Sequence, residues 1–130
     1  MHDLKRAMMS AASGMSAQSH RLRLIGENVA NADTPGYHRK TVSFETQLDR
    51  VSRAAQVSPG PVRLDGTAPR QVFEPGHPLA DQDGMLTLSN VDPLIELADA
   101  REAQRSYEAN LNIFDQARRM AGSMLDLLRR

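Results

Sequence analysis

The run Asn28-Val29-Ala30-Asn31-Ala32-Asp33-Thr34-Pro35-Gly36-Tyr37 decides where the first helix stops and how the chain leaves it. Thr34 precedes a proline and is pushed out of the α region. Pro35 and Gly36 suit the two central positions of a type II turn, because glycine accepts a positive φ. Asn31 and Asp33 can satisfy the last free backbone groups of the helix. This segment therefore reads as a helix stop followed at once by a tight turn.

Upstream of the stop, residues 3–31 carry a seven-residue repeat. Met1, Met8, Met15, Leu22 and Val29 share one heptad position, and Leu4, Ala11, Gln18 and Ile25 lie three residues on. Such an a/d seam over about four heptads predicts a coiled-coil-like helix. Residues 93–130 repeat the device. Leu97, Gln104, Leu111, Arg118 and Leu125 form one row; Ala100, Tyr107, Phe114, Ala121 and Leu128 form the other. Ile113, Met120, Met124 and Leu127 lie off the stripe and widen the apolar surface. Asp92 can cap this second helix, Pro93 suits its first position, and Glu96 suits the positive end of its dipole. Asp115 with Arg119 and Asp126 with Arg130 are spaced as i,i+4 pairs.

Between the helices, residues 32–92 hold six of the seven prolines and most of the glycines. Brief extended pieces are expected at Val42, Phe44 and Leu48, at Val62 and Leu64, at Val72 and Phe73, and at Leu86 and Leu88. Residues 50–70 are polar and rich in breakers, and are expected to be the most mobile. The fold class is therefore mainly α: long N- and C-terminal helices paired as a coiled coil, with a small extended, β-rich and partly mobile middle segment. The expected division is 1–31 plus 93–130 as a terminal-helix unit, and 32–92 as turn, short strands and loop. Helices of these lengths would run roughly 43 and 55 Å, too long for a compact 130-residue body with a radius of gyration of about 14 Å. A two-helix rod with a patchy seam leaves apolar surface to be completed by other subunits; the alternative is a small intramolecular helical hairpin with a frayed loop.

Composition narrows the function. The 130 residues carry 16 basic and 16 acidic side chains, so no cationic surplus serves a nucleic-acid partner. There is no cysteine, which excludes disulfides, thiolate zinc sites and a cysteine nucleophile. Residues 1–30 contain no unbroken apolar run of seven, which fits neither a secretory leader nor a membrane span. His2, His20, His38 and His77 sit at no metal-ligand spacing, and no His-Glu-x-x-His occurs. Asp81 and Asp83 fall far short of an EF-hand loop. No phosphate loop or serine elbow is present. No catalytic residue, cofactor, metal or small-molecule substrate is expected.

Three blocks then converge. The first is the run from Asn28 to Tyr37. The second is Phe73-Glu74-Pro75-Gly76-His77-Pro78-Leu79-Ala80-Asp81, followed by Gly84 and by Asn90-Val91-Asp92. The third is Arg105-Ser106-Tyr107-Glu108-Ala109-Asn110. Together, in this order, they resemble the bacterial flagellar rod and hook family, and within it the proximal-rod type. Met85 stands where that family often has an aromatic, and Ser89 where it often has proline. The resemblance implies an axial structural subunit, exported through the flagellar type III apparatus without a cleaved signal peptide. It would assemble helically with other rod proteins and copies of itself, in a rod spanning the periplasm, and would transmit motor torque. The alternatives are the neighbouring rod-subunit type and a cytoplasmic coiled-coil adaptor.

Residue roles follow from the resemblance. Asn28, Asn31, Thr34, Pro35, Gly36 and Tyr37 would set the exit direction of the chain. Glu74, Pro75, Gly76, Pro78, Leu79, Asp81, Asn90, Val91 and Asp92 form the family motif of the middle segment. Met8, Met15, Leu22, Ile25, Val29, Leu97, Tyr107, Asn110, Leu111, Phe114, Leu125 and Leu128 would form the coiled-coil and subunit interface.

Overall fold

The computed structural model describes residues 2–130; Met1, the first member of the expected heptad row, lies outside them. Helix α1 spans His2–Ala30 and α2 spans Pro93–Leu128, together half of the chain. Between them lie β1 (Lys40–Thr41), β2 (Phe44–Leu48), β3 (Ala55–Pro59), β4 (Arg63–Leu64), β5 (Gln71–Phe73) and β6 (Met85–Thr87). They pair antiparallel as three two-stranded ladders, β1 with β4, β2 with β3 and β5 with β6. β3 belongs to the segment expected to be most mobile. Its pairing runs from Phe44 opposite Pro59 to Leu48 opposite Ala55. The hairpin lies on α1, where the Ser10 hydroxyl donates to the Ala55 carbonyl and Ser13 Oγ accepts from the Val57 N–H at 3.0 Å.

The helices run antiparallel. Asn28 meets Glu96, Arg21 faces Asp99 and Glu102, and Gly14 lies beneath Asn110. At this register α2 continues past the start of α1, so its last two turns overhang.

In both helices the buried row beside the expected d row is not the large apolar a row but the row one residue earlier. Gly14 and Asn28 are buried rather than Met15 and Val29, and Glu96, Ala103 and Ala117 rather than Leu97, Gln104 and Arg118. Small side chains let the helix axes approach, and Gly14 shows how closely. A Cβ there would lie 2.7 Å from Asn110 Nδ2. The larger side chains are displaced outward. Met8, Met15 and Leu22 are half-covered, whereas Val29, Leu97, Leu111, Leu125 and Leu128 are exposed. Asp115 pairs with Arg118 at 3.6 Å, rather than with Arg119.

The two helical glycines of α1 test this seam. Gly14→Leu is expected to cost about 1–3 kcal/mol by overpacking. At Gly26 nothing lies within 4 Å of an added Cβ, so Gly26→Ala should stabilise by about 0.5–1 kcal/mol through helix propensity. Urea midpoints of the two variants against the parent chain check the opposite signs.

The core is small. Among the described residues its buried apolar side chains are Ala11, Ala17, Ala32, Ala54, Ala103 and Ala117, with only Leu24, Ile25, Leu86 and Val91 larger than alanine. The chain exposes 9060 Å². A compact monomer of 14.4 kDa would expose about 6,800 Å². Nearly a quarter of the surface is therefore in excess of what a closed globule shows.

Candidate functional site

The helix stop at Asn28–Tyr37 and the capped start of α2 meet in a buried polar hub. The turn forms as its residues dictate: the Tyr37 N–H donates to the Thr34 carbonyl at 3.2 Å, and Gly36 has φ +77°. The Gly36 N–H donates to the Thr87 carbonyl at 3.2 Å, which ties the turn to β6. Asn31 Nδ2 donates to the Glu27 carbonyl at 2.9 Å, and its Oδ1 accepts from the Thr34 hydroxyl at 3.1 Å. These bonds satisfy the helix end. Pro35 is half-buried, and Asp33 is exposed.

Asn28, 1% exposed, uses both ends of its amide. Its Oδ1 accepts from the Tyr37 hydroxyl at 2.8 Å and from the Lys40 N–H at 2.9 Å. Its Nδ2 donates to the Lys40 carbonyl at 2.9 Å and to Glu96 Oε2 at 3.3 Å. No other residue type offers two acceptor sites and two donors in this compass. Burial, then the nearby Glu27 carboxylate, raise the Tyr37 phenol above its ordinary range, so it remains a donor to Asn28.

Glu96 is fully buried, and nothing in the sequence marks it beyond its place in the first turn of α2. Arg39 answers it. Arg39 Nε binds Glu96 Oε1, one terminal nitrogen reaches Asp99 Oδ2 at 2.7 Å, and the other reaches Asp65 Oδ2 at 3.3 Å. Burial alone would lower the Arg39 pKa, but the bond to Glu96, the Glu96 charge, the bond to Asp65 and the Asp99 charge raise it overall. Asp65 is held below its ordinary range, chiefly by the Thr67 hydroxyl and N–H and then by Arg39. Lys40 is raised by its ion pair with Glu27.

The second family block divides in two. Asn90 and Val91 enter the hub. Asn90 Oδ1 accepts from the Arg39 N–H at 2.6 Å, and its Nδ2 donates to the carbonyls of Asp65 and Thr67 at 2.9 and 3.0 Å. Val91 is buried, and Asp92 caps α2 by accepting from the Leu94 N–H at 3.0 Å. Ser89, where the family often has proline, is fully buried; its hydroxyl donates to the Ala32 carbonyl and accepts from the Val91 N–H. The other half, Glu74 to Asp81, forms the loop closing the β5–β6 hairpin, away from the hub. Asp81 Oδ1 accepts from the N–H groups of Asp83 and Met85 at 2.9 and 2.8 Å. Gly84, at φ +79°, lies under Phe73, where a Cβ would come within 2.8 Å of the ring. Glu74, Pro75, Gly76, Pro78 and Leu79 are exposed.

The expected interface residues are spread along the helices. Ile25 is buried, Phe114 is half-buried, and Tyr107 is 37% exposed at the seam's edge. Asn110 covers Gly14 and donates to the Ser106 carbonyl at 2.9 Å. Arg39, Asp65 and Asp99 were not singled out by sequence, Glu96 only as a first-turn acid of α2 and Ser89 only as a departure from the family pattern. Arg39 lies 57 residues from Glu96, so no local pattern could join them. Among the described residues no group of His, Asp or Glu could hold a metal ion, and no helix is long and apolar enough to cross a membrane.

Comparison with known proteins gives two family matches, "Flagella basal body rod protein" over residues 8–38 and "Flagellar basal body rod FlgEFG protein C-terminal" over residues 82–127. Among similar proteins, the flagellar basal-body rod protein FlgC of Agrobacterium fabrum is 45% identical over 136 aligned residues, covering 99% of this chain and 98% of that one. FlgC of Salmonella typhimurium is 34% identical, covering 90% and 92%. FlgC of Aquifex aeolicus is 33% identical, covering 88% and 89%.

Proposed function

The chain belongs to the FlgC family of flagellar basal-body rod proteins, and from that premise we propose how its surface serves assembly as a structural subunit of the proximal rod. The observation that carries the reading is the inverted placement of its apolar residues. Of eighteen exposed large apolar side chains among the described residues, eleven are on α2, from Leu94 to Leu128. A face of this extent calls for neighbouring subunits. A contact between unlike faces of successive subunits, repeated by a non-closing operator, builds a helical shaft. Such a shaft transmits motor torque through those contacts to the hook and filament. The partners are other rod proteins and copies of this chain, and the route is the flagellar type III export apparatus. A rod position spanning the periplasm completes the reading. The relatives named above are all FlgC, which favours this type over the neighbouring FlgB subunit.

In this reading Asn28, Asn31, Thr34, Pro35, Gly36 and Tyr37 fix the direction in which the middle segment leaves the axial helices. Met8, Met15, Leu22, Val29, Leu97, Leu111, Leu125 and Leu128 meet neighbouring helices in a coiled-coil-like inner layer. Tyr107, at the rim of the seam, marks the boundary between intrachain and interchain packing. A photo-crosslinker placed at position 107 is expected to give products between chains in assembled rods. Purely intrachain products would return Tyr107 to the seam of its own chain.

A further inference from the structure

A heptad repeat fixes the period of a helix pair but not its register, because a slip of seven residues restores the pattern. The seam of α1 and α2 is nearly degenerate in this way. Its α2 row is Glu96, Ala103, Asn110 and Ala117, and the facing α1 row is Ala7, Gly14, Arg21 and Asn28. Two points break the degeneracy. At one, Asn28 meets Glu96 in the hub. At the other, the Asn110 amide fills the space above Gly14: a Cβ there would lie 2.7 Å from Nδ2, 2.9 Å from Cγ and 3.0 Å from Oδ1. The bond from Nδ2 to the Ser106 carbonyl holds the amide in that place. Positions 14 and 28, like 96 and 110, are two heptads apart, about 21 Å, so both points specify the same register. A slip of one heptad sets Ala103 or Ala117 over Gly14, where alanine is too small to fill the notch. It sets Asn110 against Ala7 or Arg21, where a Cβ stands in its way. We propose that Asn110, seated in the Gly14 notch, is a register-specifying residue that holds the outer half of α2 in place on α1 independently of the hub. A second polar residue of the seam points the same way. Gln18, one turn from Gly14, buries its Oε1 with no partner among the described residues. Polar groups in a helix seam cost stability and single out one register. The register sets how far α2 overhangs α1, and so which apolar side chains lie beyond the intrachain seam.

The absence of cysteine allows spin labels at Ser19→Cys and Ser123→Cys, both exposed positions. Double electron–electron resonance on the purified full chain reads their separation, and a slip of one heptad moves it along the axis by about 10 Å. Because the hub also fixes the register, Asn110→Ala alone is expected to keep one distance. The hub-less chain, Arg39→Met with Glu96→Leu, is expected to keep one distance as well, held by the notch. Adding Asn110→Ala to the hub-less chain makes the α2 row alanine at 103, 110 and 117. That chain is expected to give at least two distances, about 10 Å apart. Exchanging the pair instead, Gly14→Asn with Asn110→Gly in the hub-less chain, rebuilds the notch with its sides reversed and should return one distance. Helix propensity alone predicts the reverse order, because alanine favours a helix and glycine does not. Circular dichroism on each chain separates slippage from unfolding. One unchanged distance in the hub-less Asn110→Ala chain, several distances in the hub-less chain that keeps Asn110, several in the exchanged pair, or loss of helix in place of slippage would overturn the proposal.

Discussion

Arg39→Ala should lose about 3–5 kcal/mol, the effect of leaving a buried charge uncompensated. Glu96 is fully buried, and Arg39 is its charged partner. Asp65 and Asp99 lose the same cation. Against the 5–15 kcal/mol typical of a whole domain, in a chain whose core is mostly alanine, such a loss unfolds the hub end. The double variant Arg39→Met, Glu96→Leu removes both charges and should recover much of the loss, because an apolar pair needs no counter-ion. Urea unfolding followed by circular dichroism measures both. A single variant no less stable than the parent would show that the hub contributes no net stability.

The second large effect is expected at the turn. Gly36→Val places a β-branched side chain at φ +77°, a conformation that costs about 1–3 kcal/mol. The chain can relieve that strain by rebuilding the turn, which breaks the Gly36 bond to Thr87 and shifts the Tyr37 bond to Asn28. The middle segment then leaves the helices in another direction. The expected result is a chain that is made but not incorporated into rods, read as loss of swimming and absence from purified basal bodies. Normal swimming with normal incorporation contradicts the role of the turn.

The contrast between these two sites shows what the sequence discloses. Pro35-Gly36 fixes backbone conformation locally, so the turn is legible from two residues. The same holds for the Asp92 cap with Pro93, and for helices that run the expected lengths. The seam is half legible. Heptad spacing gives the period, but weighting rows by hydrophobicity favours Met15, Val29 and Leu97, whereas close approach favours Gly14, Ala103 and Ala117. On these rows Gly14, Ala103 and Ala117 are buried, while Met15 is half-covered and Val29 and Leu97 are exposed. β3 is not legible, because Ala55–Pro59 is polar and ends in proline; it pairs with β2 and is held to α1 by Ser10 and Ser13. The hub is legible from the Asn28 and Asn90 motifs but not at its charged centre, since Arg39, Asp65 and Glu96 come together across long loops. Serine at position 89 looks in sequence like a departure from the family, yet its hydroxyl links Ala32 to Val91.

The most direct test of the central claim is a density map, at side-chain resolution, of basal bodies isolated from cells that make this chain. The antiparallel pair α1–α2, joined by the Arg39–Glu96 hub, is expected to trace into the proximal rod, with the exposed face of α2 covered by neighbouring subunits. A proximal rod in which this chain cannot be traced, or in which that face is turned to solvent, would contradict it.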